Sequence, residues 1–550
     1  MVPPDRKYKR FECHTQQMAV TICLFGFLAR LWAASGAFLN PDEALHFRLA
    51  NQLSLAVAYQ ESLTASHPPL LTFVLYFWRA FGTSELWLRL PSVLAGVAFC
   101  WMFYRWLCNA AGKLTGLIGL LFVSFLPPVV LLSTEIRQYV LLLAFLASAL
   151  YFLDDAFEKK SVAKMAAFSL CLYLAMLSHY SAFLFAAALG IYALVRIFEE
   201  RPPARFVAAW ATGQLGALAL AAFLYETHLT KLGAGESRTV LQGWMSEFFL
   251  RRSYFDSGHD NPLLFLVGHT FGVFQYFFGQ LAVGDGMTLL FFVGVALLLR
   301  GKFSLQGKPS LRLGIFLLLP FAIAAVASLA HAYPYGGTRH VAFLVIPGVA
   351  GVSVAMARLA GDKWGRGFAI AAVVLVACIA FAKPRPPRME RADQSVTHMT
   401  AAMEFIQHKV APSDLIFTDY QTDLILAHYL CRQEPVVFEA APASFEQFSC
   451  AGHRVISRDY KGWQFWGDNF PEEWRRFVLA YGLKPGETVW IVQAGWGIGL
   501  PEDLQQHFTE FHDLHFETFG KNIKIFKLTV GQPMPRQSPN PKSAKLESSF

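Results

Sequence analysis

The run MAVTICLFGFLARLWAASGAFLNPDEALH, residues 18–46, decides what kind of chain this is. Its first two-thirds are apolar for long enough to cross a bilayer, whose hydrocarbon core takes roughly 20 apolar residues per helix. The rest turns at Asn40-Pro41 and delivers two adjacent carboxylates, Asp42 and Glu43, with His46 one turn on. Carboxylates at a membrane boundary lose solvation, so they bind a cation, accept a proton, or cap the helix that Pro41 starts. The small residues Ala33-Ala34-Ser35-Gly36-Ala37 also resemble a signal-peptidase site. The apolar stretch is long for a cleaved signal, and cleavage would cut the acidic pair from its anchor, so an uncleaved first span is expected.

The same pattern repeats outward along the chain. Of 550 residues, 55% are hydrophobic and 16% charged, with 51 Phe and a mean hydropathy of +0.38. Soluble domains carry about 45–50% apolar and about 25% charged residues, so the class expected is a polytopic α-helical membrane protein. About eleven spans can be drawn, at 17–37, 86–106, 114–131, 134–153, 162–178, 180–198, 206–225, 286–300, 313–331, 340–358 and 367–383. The net charge of +8 lies in short loops rather than in a basic face, which implies no nucleic-acid partner. With the N-terminal Arg6, Lys7, Lys9 and Arg10 inside, the basic segments 105–113, 159–164, 196–205, 300–312 and 358–366 all fall on that side. Keeping this count makes the Phe-rich block 262–283 a helix at the outer interface, with a re-entrant segment or a full span as alternatives.

Three outer features follow. The loop 38–85 holds Asp42, Glu43 and the run Ser66-His67-Pro68-Pro69-Leu70, with helical spacing of apolar residues over 70–81. A second loop covers 226–285. After the breaker Lys383-Pro384-Arg385-Pro386-Pro387, a tail over about 386–530 alternates helix-like runs (397–409, 421–431) with strand-like ones (415–418, 488–492), which predicts a small α/β domain. The end, 531–550, is rich in Pro, Ser and Lys and is expected to be disordered. The division expected is therefore 1–385, 386–530 and 531–550. None of the 8 cysteines has zinc-type spacing; Cys431 and Cys450, alone in the outer domain, could pair in an oxidising compartment.

Four polar clusters fall at the outer ends of the spans. They are Asp42-Glu43 with His46; Ser133-Thr134-Glu135-Ile136-Arg137-Gln138-Tyr139; Ser178-His179-Tyr180; and Tyr333-Pro334-Tyr335-Gly336-Gly337-Thr338-Arg339-His340. A carboxylate can act as base on an acceptor hydroxyl or amine, and an arginine can stabilise a departing phosphate. Together they suit transfer of a group from a lipid phosphate outside the membrane, where no ATP is available. Each cluster also has a plainer reading. Asp42 could be a helix N-cap, Arg137 a neutralising partner of Glu135, Asp42 or Glu43, His67 and His179 packing residues, and Gly336-Gly337 a tight turn.

The acidic pair after the first span, the His-Pro-Pro-Leu run, the Glu-x-Arg-x-Tyr cluster and the Tyr-Gly-Gly-Thr-Arg-His loop resemble integral-membrane glycosyltransferases of the GT-C type. The likeness is to bacterial relatives of protein O-mannosyltransferases and lipid A aminoarabinose transferases, and covers about residues 15–385. It implies a polyprenyl-phosphate-linked sugar donor drawn from the membrane lipid, and inverting transfer to an extracytoplasmic acceptor. On that resemblance Asp42 matches the catalytic base, Glu43 helps position the site or an ion, and Glu135 takes the place of the second outer-loop acid. Arg137 and Arg339 are candidates for the donor phosphate with Tyr335 and His340 in support, and His46, His67, Tyr139 and His179 stand near. The resemblance leaves a divalent metal ion open. The α/β tail departs from the β-trefoil of eukaryotic O-mannosyltransferases, so the acceptor is unassigned. A bacterial inner membrane is expected, with the N-terminus cytoplasmic and the C-terminal domain periplasmic. The competing classes are a transporter or lipid-sugar flippase, using Asp42 and Glu43 as a proton or cation site, and a degenerate transferase serving as a scaffold.

Overall fold

The computed structural model describes residues 6–63, 65–232, 253–301, 304–305, 308–359, 394–431, 434–458, 462–508 and 511–531. The expected span at 367–383 and the tail 532–550 lie outside the described residues. The chain forms two compact units: a helical unit of residues 1–35, 59–78 and 86–387, and an α/β unit of residues 36–58, 79–85 and 388–550. Sequence reading divides the chain after residues 385 and 530. The structure groups 36–58 and 79–85 with the C-terminal residues as well.

In the helical unit, eight described helices are long and apolar enough to span a membrane: Thr15–Ala34, Glu85–Ala111, Tyr139–Lys159, Ala182–Glu200, Ala204–Leu229, Leu281–Leu299, Ser310–Leu329 and Arg339–Leu359. Four shorter apolar helices accompany them, at Leu70–Phe81, Lys113–Phe125, Val162–Ser178 and Pro262–Phe278. The last is the block 262–283. It ends at Gly279 (φ 66°) and turns back so tightly that a β-carbon on Gly284 would lie 2.3 Å from Gln275 Cα, while Phe274 stacks on Phe321 at 5.8 Å.

The expected span 114–131 is broken. Helix α6 (Lys113–Phe125) stops at Leu126, and Pro127-Pro128 opens a new short helix, α7 (Pro127–Leu132). Proline cannot donate, so the last carbonyls of α6 lose their helical partners. Arg30, fully buried in the first span, fills that role: Nη1 donates to Ser124 O at 2.8 Å and Gly26 O at 3.0 Å, and Nη2 to Val123 O at 3.0 Å. A cation at a helix C-terminus is also favoured by the helix dipole. The break sends the chain from α7 directly into Ser133–Tyr139.

At the other end of this unit the basic loops meet. Arg196 donates to Asp154 Oδ1 at 2.6 Å and Glu200 Oε1 at 2.8 Å, Arg312 reaches Glu200 Oε1 at 2.7 Å, and Lys160 reaches Glu200 Oε2 at 2.7 Å. Residues from segments 159–164, 196–205 and 300–312, which sequence assigns to one side, therefore share a single charge network.

The α/β unit holds a seven-stranded sheet. Its strands are β1 (Leu415–Thr418), β2 (Glu439–Ala441), β3 (Phe445–Cys450), β4 (His453–Arg458), β5 (Thr488–Ala494), β6 (Phe516–Thr518) and β7 (Ile523–Thr529), in the order β2-β3-β4-β1-β5-β7-β6. β1 is parallel to both neighbours, with Phe417 opposite Ile456 and Ile491; the outer strands are antiparallel. Side chains alternate across a strand, so Phe417, Ile456 and Ile491 face one way. There they share a core with Phe470, Trp474 and Phe477 of the helix Phe470–Tyr481 and with Leu500 and Leu504 of the helix Leu500–His507. The other face carries the helices Val396–Lys409 and Tyr420–Tyr429, fixed by Phe405 against Trp490 (5.9 Å) and by Ser457 bonding Asp423. Cys431 and Cys450 are disulfide-bonded, with Cα atoms 5.1 Å apart.

Candidate active site

In the helical unit, the predicted clusters converge on one ring. Tyr139, the first residue of its helix, has His179 at 4.8 Å, His67 at 6.3 Å and His340 at 6.4 Å between ring centroids. The guanidinium carbons of Arg137 and Arg339 stand 5.7 and 5.9 Å from the same ring. Four segments far apart in sequence thus bring two cations and three imidazoles around one aromatic ring, where cation–π attraction fixes the guanidinium groups. Tyr139 Oη and both amide atoms of Gln138 are buried with no hydrogen-bond partner among the described residues. Buried polar groups are normally satisfied, so three such atoms side by side mark these two residues as unusual.

His179 sits just past the end of its helix, and its Nδ1 accepts from Ser181 N at 3.1 Å, which leaves the proton on Nε2. Burial first, and then His340, Arg137 and Arg339, push its pKa down to about 3, so the imidazole is neutral beside the two arginines. Glu135 is buried two residues before Arg137, whose amide N donates to the Glu135 carbonyl at 2.8 Å. The Tyr335 hydroxyl is directed elsewhere, to Thr270 Oγ1 at 2.6 Å. Gly336-Gly337 serves a close approach rather than a turn alone, because a β-carbon on Gly337 would lie 2.7 Å from Gly272 O.

The acidic pair belongs to the α/β unit. It lies on helix α2 (Pro41–Ala50), whose N-cap is Asn40 rather than Asp42. Asn40 Oδ1 accepts from Glu43 N at 3.0 Å, and Glu43 Oε2 accepts from Asn40 N at 3.1 Å, a reciprocal capping box. Glu43 is thereby committed to holding the helix end, while Asp42, beside it, is partly exposed. His46 is buried on the same helix. α2 lies along the helix Tyr420–Tyr429, held by Phe47 against His428 (5.1 Å) and by the Tyr429 hydroxyl, which accepts from Leu39 N at 2.8 Å. Arg48, in its last turn, pairs with Glu446 at 3.1 Å and lies 3.5 Å from the centre of the Phe438 ring, close to the fully buried Asp423. Sequence reading missed Arg48, Arg30 and Ser181, and named Gln138 in its cluster without giving it a role. Arg30 was findable, since a charge inside an apolar span is itself a signal.

Among the described residues no group of three or more His, Cys, Asp or Glu side chains is arranged to hold a metal ion.

These features define a polytopic α-helical membrane protein with a small α/β domain. Residues 66–225 match the sequence profile of the Dolichyl-phosphate-mannose-protein mannosyltransferase family, a stretch that includes His67, Glu135, Arg137, Tyr139 and His179. That match bears out the resemblance read from the motifs. The structure is similar to the oligosaccharyltransferase of Archaeoglobus fulgidus, solved with a tethered acceptor peptide, at 10% identity and a TM-score of 0.48 over 86% of this chain and 69% of that one. It is also similar to ArnT from Cupriavidus metallidurans at 13% identity. The apo form gives a TM-score of 0.48 over 94% of this chain and 99% of that one. The form bound to undecaprenyl phosphate gives 0.47 over 94% and 98%. No curated protein matches the chain by sequence.

Proposed function

We propose that this protein transfers a sugar from a polyprenyl-phosphate-linked donor to an extracytoplasmic lipid, glycan or protein acceptor, with inversion. Asp42 takes the proton from the acceptor hydroxyl or amine as that atom attacks the anomeric carbon. The bond from that carbon to the phosphate oxygen breaks on the opposite face, and polyprenyl phosphate departs with the electron pair. Arg137 and Arg339 hold the phosphate through charge-assisted bonds, with Tyr139, His179 and His340 around them and His67 at the edge. Glu135 acts as the second acid beside Arg137, and Glu43 keeps α2 in place. The observation that carries this reading is the pair of guanidinium groups gathered on Tyr139 beside unsatisfied polar atoms.

The membrane domain is 1–385 without the segments 36–58 and 79–85, which join the extracytoplasmic domain 386–530, in a bacterial inner membrane with the N-terminus inside. The Cys431–Cys450 bond supports an oxidising location for the α/β unit, and the shared network of basic loops supports one common inner side for those loops. A flippase is the rival from another class. Purified protein given labelled polyprenyl-phosphate sugars and an envelope acceptor pool transfers label if the reading is right. Movement of the donor across acceptor-free proteoliposomes without any transfer would replace it with the flippase.

A further inference from the structure

The sheet of the α/β unit has a switch point at β1. The chain leaves β1 into the helix Tyr420–Tyr429 on one face, whereas both parallel neighbours, β4 and β5, lead to helices on the other. In open α/β sheets the crevice outside the carboxyl ends of strands at such a point is where ligands bind. Here three segments meet at that edge: Asp419 with the first turn of the helix Tyr420–Tyr429 after β1, the loop Gln464–Trp466 after β4, and the loop Gly495–Gly499 after β5.

These segments are built as a fixed platform. Gln421 Nε2 donates to Trp496 O and its Oε1 accepts from Trp496 N, both at 3.2 Å. Gln464 Nε2 donates to Trp496 O and Gly497 O, both at 2.6 Å, and Phe465 N donates to Asp419 Oδ2 at 3.1 Å. With the polar side chains used in stitching the loops, what the edge presents is aromatic: Tyr420 against Trp463 at 5.7 Å, Trp496, and Trp466, which is 38% exposed. Gly495 (φ 125°) and Gly497 (φ 57°) keep the backbone bare between them. The platform lies at the root of the acidic helix, since a β-carbon on Gly495 would be 3.0 Å from Pro41 Cγ, one residue before Asp42.

We infer that this crevice, walled by Tyr420, Trp463, Trp466 and Trp496, binds a neutral saccharide, the acceptor sugar whose nucleophile Asp42 deprotonates. The inference rests on the transfer reading above. Flat aromatic walls match the apolar faces of a sugar ring. An anion is disfavoured at this edge because the Lys524 ammonium there is engaged by Glu502 and by Ile498 O at 3.4 Å, and Asp503 adds a further carboxylate to the first turn of the helix Leu500–His507. Half-exposed tryptophans also gather at membrane interfaces, but a helical glutamine and a loop glutamine fixing three strand-end segments at a switch point argue for a recognition surface.

The test uses the full chain in nanodiscs and three probes: neutral trisaccharides of N-acetylglucosamine, mannose and galactose, followed by saturation-transfer NMR. At least one probe is expected to show transfer, reduced five-fold or more in Trp496→Ala and in Trp466→Ala. The second of these sits on an exposed ring and leaves the core intact. Asp42→Asn retains the binding. No signal from any probe, or signals unchanged in both tryptophan variants, overturns the crevice. So does quenching by brominated phosphatidylcholine that falls in the same two variants, which would assign the rings to the lipid surface. Saccharide binding with no sugar transfer by the wild type would instead refute the transfer reading and leave the crevice standing.

Discussion

Replacing Arg48 by Met should loosen the acidic helix from the domain that carries it. The ion pair with Glu446 is partly exposed, at 17% and 31% for the two side chains, and is worth up to about 1 kcal/mol. The guanidinium over Phe438 at 3.5 Å adds about 1 kcal/mol. The remaining loss comes from Asp423, fully buried with Oδ1 lacking a hydrogen-bond partner among the described residues; burial raises its pKa well above the usual carboxylate range, and the Arg48 charge nearby opposes that rise. Removing one member of a buried charge set costs several kcal/mol, and protonation of Asp423 limits that to about 1 kcal/mol here. The total of about 3 kcal/mol corresponds to roughly a hundredfold faster opening of α2. Hydrogen exchange on residues 44–50 reads this directly, with β5 as the internal reference. Because burial raises the Asp423 pKa, the cost should shrink at low pH, and Asp423→Asn in the Arg48→Met background should recover part of it. Exchange in α2 unchanged by Arg48→Met would refute the argument.

Other expectations are separate from that one. Arg137→Met and Arg339→Met should each lower kcat/KM for a polyprenyl-phosphate donor by about a hundredfold, measured by radiolabelled transfer, and the double variant should fall further without loss of the folded protein. Cys431→Ser with Cys450→Ser opens a bond of sequence separation 19, worth about 3 kcal/mol by loop closure, which a thermal melt of the α/β unit under oxidising conditions should show. Burial lifts Asp419 to about 6 despite bonds from Thr422 and Phe465, so its protonated form is favoured by the fold. Its contribution is complete below the ordinary carboxylate pKa of about 4 and is lost as pH rises through about 6, a change of about 3 kcal/mol. Urea unfolding of the protein between pH 4 and 7, followed by exchange at β1, should show that decline, and Asp419→Asn should flatten it.

Much of the fold is visible in the chain because its signals are local. Apolar blocks mark the spans, and Leu415–Thr418 and Thr488–Val492 declare themselves as strands before the sheet is seen. The polar loops at 133–139, 179 and 335–340 are recognisable by residue type, and they do meet, apart from Tyr335, whose hydroxyl turns to Thr270. What stayed hidden depends on distant partners. Nothing around Arg48 announces Glu446 almost four hundred residues later. An apolar run through 114–131 conceals the break at Pro127-Pro128, because the partners of the freed carbonyls, Arg30 foremost, come from other helices. The first part of the loop after the first span, Pro41–Ala50, packs on the helix Tyr420–Tyr429, a partner that lies almost four hundred residues away and leaves no local mark.

The most direct test of the central claim compares wild type with Asp42→Asn for sugar transfer from a defined polyprenyl-phosphate donor, using protein purified in lipid. The account predicts transfer by the wild type and a loss of at least a thousandfold in Asp42→Asn, with hydrogen exchange of α2 unchanged. An Asp42→Asn protein that transfers sugar at the wild-type rate would contradict it.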